Sequence, residues 1–283
     1  MTIDGVHLGM AFTLLAYVVL PPSGLPVAGR ILMGVGLVVP LLVRRSRVYW
    51  LVVLTLFVVG RLGQSWAVLD NHEFLQIYWL AAIAASRFGA RPDDVLRSAA
   101  RWLVGLVFAF AVVWKLLGPG FLDGSAMEFI LVTDPRPADL VEAADLQPPG
   151  SASAHRAALD AWMDPTTEPE PVTFTVGGAV AQLAPVLTWL TILLEAAVAV
   201  AFLAPLPQRW RWLRDATLLT FVASTYVLAP VIGFGWLLLA MGVVQSDLSA
   251  KLRNRLYVAG FAFVALTLLR GVLLLPLLER LTG

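Results

Sequence analysis

Long apolar runs separated by short basic loops constrain this chain more than any other feature of its sequence. Runs of spanning or near-spanning length occur at about nine places, roughly 6–20, 27–43, 48–68, 74–86, 99–117, 179–205, 213–230, 232–247 and 256–278. Only 14% of the residues are charged, whereas a soluble domain carries about 25%. The pattern predicts an all-α fold, a polytopic transmembrane helical bundle of about eight or nine spans in the cell membrane.

The distribution of Arg and Lys favours nine spans over eight. Only Ala229-Pro230 separate the seventh and eighth runs, which form either a tight hairpin or one broken helix. Short cytoplasmic loops are enriched in basic residues. With nine spans, the N-terminus is cytoplasmic, the C-terminus is outside, and four basic groups share the cytoplasmic side: Arg44, Arg45 and Arg47; Arg87, Arg91, Arg97 and Arg101; Arg209, Arg211 and Arg214; and Lys251, Arg253 and Arg255.

A long connection, 118–178, separates spans one to five (1–117) from spans six to nine (179–283). Nine spans place it outside the membrane, and it holds ten of the nineteen acidic residues of the chain. A connection of this length is usually functional or disordered, so a solvated acidic loop and a surface for a partner protein both stay open. Ala154 to Met163 predict a short helix with Ser153 as its N-cap, and turns are predicted at 148–151 and 165–169.

Ionisable side chains within the apolar runs are candidate functional residues, because such groups are rare and costly in a bilayer. Lys115 ends the fifth run, Glu195 lies near the middle of the sixth, and Arg61 and Arg270 lie toward the outer ends of the third and ninth. A pair between Glu195 and Arg61 or Arg270 would lower the cost of burial. A structural ion pair, or for Lys115 an anchor that snorkels to the headgroups, is the alternative.

The outer turn between the third and fourth runs reads Asp70-Asn71-His72-Glu73. Nine spans place this turn in the same outer third of the membrane as Lys115. An imidazole beside a lysine suits proton transfer, since the pKa values of both groups shift readily in a low dielectric; the alternative is a simple turn. His7 and His155 are far away in the sequence and the chain has no cysteine, so no metal site is expected.

Tryptophans mostly lie near the ends of the apolar runs, which is typical of an interfacial belt. Stacking on a cofactor is the alternative for some of them. The residues concerned are Trp50, Trp66, Trp79, Trp102, Trp114, Trp189, Trp210, Trp212 and Trp236.

Two short motifs stand in the same part of the chain. The first is Trp66-Ala67-Val68-Leu69-Asp70-Asn71-His72-Glu73-Phe74-Leu75. The second is Phe110-Ala111-Val112-Val113-Trp114-Lys115-Leu116, running on to Phe121-Leu122-Asp123-Gly124. Together they resemble the W-x-N-N-H-x-Y-L stretch, and the apolar run ending K-L before an aromatic, an acid and a glycine, of the vitamin K-dependent gamma-carboxylase family, also known as HTTM-domain proteins. The resemblance covers roughly 50–130.

The resemblance implies a mechanism. In that family the lysine that matches Lys115 is the base that deprotonates a reduced naphthoquinone, and the histidine that matches His72 belongs to the same site. By resemblance, Lys115 and His72 are catalytic, and a quinone or hydroquinone of the naphthoquinone type is the cofactor. The residues expected to position the substrate are Asp70, Asn71, Arg61, Asp123, Glu195 and Arg270.

The leading hypothesis is therefore an integral membrane enzyme of carboxylase or quinol-epoxidase type that acts on a quinone or lipid-like substrate. Apolar walls at the outer ends of spans three to six would hold an isoprenoid tail. The alternative is a non-catalytic membrane subunit or scaffold that binds a partner protein through 118–178. A transporter is less well supported, because no inverted repeat is visible. Membrane lipids are expected partners; the net charge of +1 gives no indication of nucleic acid, and none is expected.

Overall fold

The computed structural model describes residues 3–20, 27–39, 43, 45–62, 71–164 and 172–269. All regular secondary structure in these ranges is helical, which confirms the all-α prediction. The helices are α1 (Gly5–Val19), α2 (Val27–Val38), α3 (Arg47–Leu62), α4 (Asn71–Ser86), α5 (Pro92–Leu117), α6 (Ser125–Thr133), α7 (Pro135–Ala143), α8 (Ser151–Met163), α9 (Gly178–Leu203), α10 (Trp212–Leu228), α11 (Ile232–Gln245) and α12 (Ala250–Leu266). The candidates Asp70 and Arg270, and the predicted turn at 165–169, lie outside the described residues.

Within the described residues, each of the nine apolar runs overlaps a helix, namely α1 to α5 and α9 to α12. Helix α10 ends at Leu228 and α11 begins at Ile232, so the interruption at Pro230 separates two helices. Among the described residues, two helices, α5 and α9, are long and apolar enough to cross a membrane. They make the structure compatible with a membrane protein, while the count of nine spans stays a prediction.

Two helices begin well before their apolar runs, by more than one helical turn. Helix α5 begins at Pro92 rather than near 99, and Asp93 and Asp94 lie in its first turn. Proline suits the first helical position, and acidic residues are favourable at the positive end of the helix dipole. Helix α12 begins at Ala250 rather than near 256. Polar first turns therefore extend both helices beyond the segment that hydropathy identifies.

The chain divides into two compact units. Unit 1 comprises Met1–Ala109, Ala197–Ala223 and Val231–Val264. Unit 2 comprises Phe110–Ala196, Ser224–Pro230 and Ala265–Gly283.

Helix α11 forms the core of unit 1. Every residue from Gly235 to Gln245 is buried, as expected of a helix that is apolar all round. Helix α1 packs closely against it because Gly9 has no side chain: a Cβ at this position would lie 2.7 Å from the carbonyl oxygen of Ala240. Trp236 stacks on Phe261 of α12 with ring centroids 4.8 Å apart, and its indole N–H donates to the Phe261 carbonyl.

Burial of three tryptophans contradicts the belt prediction. Trp50, Trp79 and Trp236 are buried in unit 1, and the indole N–H of Trp79 donates to the Thr13 hydroxyl at 2.9 Å. A buried indole fills a large volume and needs one partner for its N–H, so these residues serve the core. Among the described tryptophans of the predicted belt, the exposed ones are Trp102, Trp114, Trp189, Trp210 and Trp212.

The acidic connection of unit 2 is a folded element. Helices α6, α7 and α8 pack together with the first turns of α9 around a small hydrophobic core formed by Leu131, Val132, Val141, Val180 and Ala184. The segment 118–177 is referred to below as the acidic helical subdomain. Helix α8 confirms the helix predicted for this segment, but it begins at Ser151 after Gly150. The prediction of Ser153 as the N-cap was wrong.

Hydrogen bonds from polar side chains hold the C-terminal end of this subdomain, at Thr175 and Gly177, in place. The Gln147 amide donates to the carbonyl of Thr175 and accepts from the Gly177 N–H at 2.7 Å. The Thr175 N–H donates to Nε2 of His155, which is buried, while Nδ1 lies 3.2 Å from the Val132 carbonyl oxygen. A ring that accepts at Nε2 can donate at Nδ1, so His155 links Thr175 to Val132. Its role in the fold is structural.

Candidate functional site

Lys115 and Glu195 form a nearly buried ion pair in unit 2. Lys115 lies in the last turn of α5, and its Nζ is 2.8 Å from both carboxylate oxygens of Glu195. The two side chains are only 18% and 9% exposed. Charge-assisted bonds of this length are strong and directional. The expected partner of Glu195 was Arg61 or Arg270; in the structure Lys115 takes that place.

The pair lies level with the end of α5. Glu195 lies several turns after the start of α9 at Gly178. Because Glu195 pairs with the last turn of α5, the turns of α9 that precede Glu195 extend beyond the end of α5. Those first turns contribute Val180 and Ala184 to the core of the acidic helical subdomain. The sequence predicted that Glu195 lies near the middle of a span. In the structure Glu195 contacts Lys115 at the end of α5, beside the acidic helical subdomain.

A tight turn, 118–124, follows the end of α5 at Leu117. The ring centroid of Phe121 lies 6.0 Å from the Lys115 Nζ, at the limit of a cation–π contact. Gly124 precedes α6 with φ +90°, and a Cβ there would lie 3.0 Å from the ring of Pro185 in α9. Only glycine satisfies both conditions, since other residues rarely adopt this φ. The turn thus fixes Phe121 beside the ammonium.

Asp123 is a turn-forming residue in the structure. Its Oδ1 accepts the Ser125 N–H at 2.9 Å and the Ser125 hydroxyl at 2.8 Å. The Ser125 backbone bond, followed by the hydroxyl bond, lowers the pKa of the Asp123 carboxyl, because both bonds favour its charged form. Asp123 therefore stabilises the start of α6, while its part in substrate positioning stays a prediction.

Thr188 shares the buried side of α9 with Glu195. The buried residues of this side recur at helical spacing, and Thr188 is only 1% exposed. Its hydroxyl has no hydrogen-bond partner within the described residues. A buried hydroxyl without a partner is unfavourable, so this group is a second polar feature that the sequence did not single out.

Unit 1 contains a separate polar centre at the end of α3. Arg61 is buried and forms an ion pair with Glu73 of α4, which is 16% exposed. The Arg61 guanidinium lies 5.6 Å from the ring centroid of Phe57, and Tyr17 packs on the same ring at 5.3 Å. The Tyr17 hydroxyl is buried without a hydrogen-bond partner in the described part of the chain.

The first turns of α4 carry the remaining candidates of this centre. Asn71 is the first residue of the helix. His72 is half-buried, with its ring centroid 6.4 Å from that of Phe234. Gln76 is buried, and its Oε1 accepts no hydrogen bond from any described residue. Sequence reasoning named Glu73 only as part of the quartet and missed Gln76, although the i, i+3 spacing of the two residues placed both on one helix face.

The structure thus pairs Lys115 with Glu195 and Arg61 with Glu73. His72 directly precedes Glu73 in the sequence. These two groups belong to different units, and the prediction that Lys115 and His72 share one site stays a prediction. Among the described residues, no group of three or more His, Asp and Glu side chains is arranged to hold a metal ion.

Comparison of the chain with protein-family models, with curated proteins and with solved structures gave no match.

Proposed function

We propose that this chain is an integral membrane enzyme in which Lys115 is the general base and Glu195 holds the proton that Lys115 must lose. The contact of Nζ with both Glu195 oxygens at 2.8 Å carries the proposal. A buried ion pair contributes little stability compared with well-packed apolar residues. Chemistry is therefore a better reason than stability for an ammonium and a carboxylate at this position.

Proton transfer within the pair would generate the base. Movement of one proton from the Lys115 Nζ to a Glu195 oxygen leaves a neutral amine and a neutral carboxylic acid. Where water is scarce, this neutral pair avoids much of the cost of burying two charges, and desolvated lysines serve as bases for that reason. The amine can then accept the proton of an acidic hydroxyl group on the substrate, while Glu195 retains the proton it received.

The surroundings of Lys115 fit an amphiphile with a small polar head and a long apolar tail. The last turns of α5 expose five large apolar side chains, Phe110, Val113, Trp114, Leu116 and Leu117. The ion pair would hold the head and this apolar face the tail, as expected of a mostly apolar site with few polar groups. A hydroquinone of the naphthoquinone type would supply a phenolic hydroxyl and two electrons when bound.

The other predicted residues belong to the same proposal. His72 is the second catalytic group, and the polar residues that position substrate are Asp70, Asn71, Arg61, Asp123 and Arg270. Nine spans would place the acidic helical subdomain outside the membrane and the N-terminus in the cytoplasm.

The test uses the two lysines of the chain, Lys115 and Lys251. The purified protein is given reduced naphthoquinone and oxygen, and consumption of the reduced naphthoquinone is followed by chromatography. We expect Lys115→Ala and Glu195→Gln to lose turnover while remaining folded by circular dichroism, and Lys251→Ala, a change at an exposed lysine, to keep it. Full turnover in Lys115→Ala would remove the proposal.

A second candidate function is a membrane scaffold that binds a partner protein through its acidic helical subdomain. The folded core of this subdomain favours it, because a rigid surface binds with less loss of entropy than a disordered loop. Asp145→Asn with Asp160→Asn removes two exposed charges from this surface. If the protein is a scaffold, the two substitutions abolish cross-linking to the partner without altering the amount of bound quinone. If the protein is only an enzyme, the substitutions alter neither the cross-linking nor the amount of bound quinone.

A further inference from the structure

A surface pocket of about 310 Å³ in unit 1 is rich in positive charge. Three arginines and one aspartate line it, together with Gly89 and Pro92. The arginines are Arg45, Arg47 and Arg87, and the aspartate is Asp93. A second pocket of about 260 Å³, by contrast, has Arg211 and Asp247 in its lining, and these two lie 3.5 Å apart, so its charges balance. The first pocket retains an excess of two positive charges.

Protein contacts hold two of the three guanidinium groups in place. Arg87 is buried; its Nε donates to the Ser86 hydroxyl at 3.0 Å, and its Nη1 lies 3.5 Å from Asp93. Arg47 lies over the Phe88 ring at 5.3 Å, and its Nε donates to the Arg87 carbonyl at 2.9 Å. The planar fork of a fixed guanidinium matches the oxygens of a phosphate group and loses little entropy on binding one.

We infer that this pocket binds the phosphate group of an anionic membrane lipid. A soluble phosphate would need only the arginines, but large apolar side chains stand next to them in the chain. Val48 follows Arg47 and is 70% exposed, and Phe88 follows Arg87 and is 55% exposed. Apolar residues beside a phosphate site would suit acyl chains. The predicted topology places these loops at the cytoplasmic leaflet, where anionic lipids are found.

The site goes beyond the proposed enzyme function and does not depend on Lys115. Basic loops attract anionic membranes diffusely, and every one to two cations near the surface raise the membrane affinity roughly tenfold. A specific pocket differs from diffuse attraction in one measurable respect. Removal of the arginines that line it must weaken lipid binding more than removal of the same number of exposed arginines elsewhere.

The test compares two double variants of the full chain in detergent micelles. Arg45→Gln with Arg47→Gln alters two exposed residues of the pocket, and Arg209→Gln with Arg255→Gln alters two exposed arginines outside it. Binding of phosphatidylglycerol and of phosphatidylcholine is titrated by native mass spectrometry. We expect wild type to prefer phosphatidylglycerol and the pocket variant to bind it about 30-fold more weakly, from about 1 kcal/mol per cation. The control variant should lose clearly less affinity than the pocket variant.

Three results would overturn the inference. Equal losses in both double variants would mean diffuse attraction, and equal affinity of wild type for the two lipids would mean no site for an anionic head. Competition by millimolar glycerol phosphate as effective as by the lipid would assign the pocket to a soluble phosphate ester. Circular dichroism checks that each variant is folded, and the single change Arg45→Gln replaces the double variant if the latter unfolds.

Discussion

Lys115 and Glu195 meet through two contacts of 2.8 Å although 80 residues separate them in the chain. One comes from the last turn of α5 and the other from the interior of α9, so the pair joins the two helices of the described chain that are long and apolar enough to cross a membrane. Because both side chains are nearly buried, each charge depends on the other. The pair therefore predicts a characteristic pattern of stability when its members are changed singly and together.

We expect Lys115→Met and Glu195→Met each to lower the free energy of unfolding by about 3 kcal/mol, because each leaves one charge buried without its partner. The double variant should lose less than either single variant, since paired apolar residues replace a buried ion pair at little cost. Thermal unfolding in detergent, followed by circular dichroism, measures all four proteins. Additive losses would show that the two residues do not depend on each other.

Gly124 and Gly150 make a matched pair for the turn that follows Lys115. Both have positive φ, but a Cβ at Gly124 would press on Pro185, whereas nothing lies within 4 Å of a Cβ at Gly150. We expect Gly150→Ala to cost about 1 kcal/mol from backbone strain alone. Gly124→Ala should cost roughly 1–3 kcal/mol more from overpacking. Thermal unfolding compares the two; equal losses would mean that the contact with Pro185 does not constrain the turn.

The pH dependence of stability should report the role of Asp123. Its folded pKa is lowered, mainly by the Ser125 N–H. A carboxyl of this kind stabilises the fold above its unfolded pKa, about 3.9, and this contribution disappears as the pH falls through the lower folded pKa. Asp123→Ala should therefore have a lower unfolding temperature than wild type at pH 6, with the difference shrinking below about pH 4.

Ser125→Ala is the control for Asp123→Ala, because it keeps the backbone donor and removes only the hydroxyl. Its loss at pH 6 should be smaller than that of Asp123→Ala. A difference between wild type and Asp123→Ala that stays constant from pH 3 to pH 6 would contradict the charged-acceptor role of Asp123.

Local pattern predicted the helices well, because a long apolar segment in apolar surroundings satisfies its backbone hydrogen bonds within itself as a helix. It could not predict that α5 begins at Pro92, since the first turns of that helix are polar. Nor could hydropathy separate the buried Trp236 from the exposed Trp114. Both lie near the ends of apolar runs, and the contact of Trp236 with Phe261 depends on which helices become neighbours.

The partners of the candidate residues were the least predictable feature. Lys115, Glu195 and Arg61 were each identified as costly charges in apolar surroundings, which is a property of a single residue and its run. Lys115 is the ion-pair partner of Glu195 because of how far the first turns of α9 extend past the end of α5. That extension follows from the folding of the acidic helical subdomain onto the first turns of α9, through Val180 and Ala184.

The absence of cysteine from the chain allows a direct test of the nine-span topology. Ser153 and Ser249 are both exposed, and serine to cysteine is nearly isosteric. With nine spans, a membrane-impermeant maleimide added to intact cells should label Ser153→Cys, in the acidic helical subdomain, and should label Ser249→Cys only after lysis. If α10 and α11 together make one span, residue 249 lies outside, and intact cells would show label at both positions. Label at Ser249→Cys alone would invert the orientation that the basic loops predict.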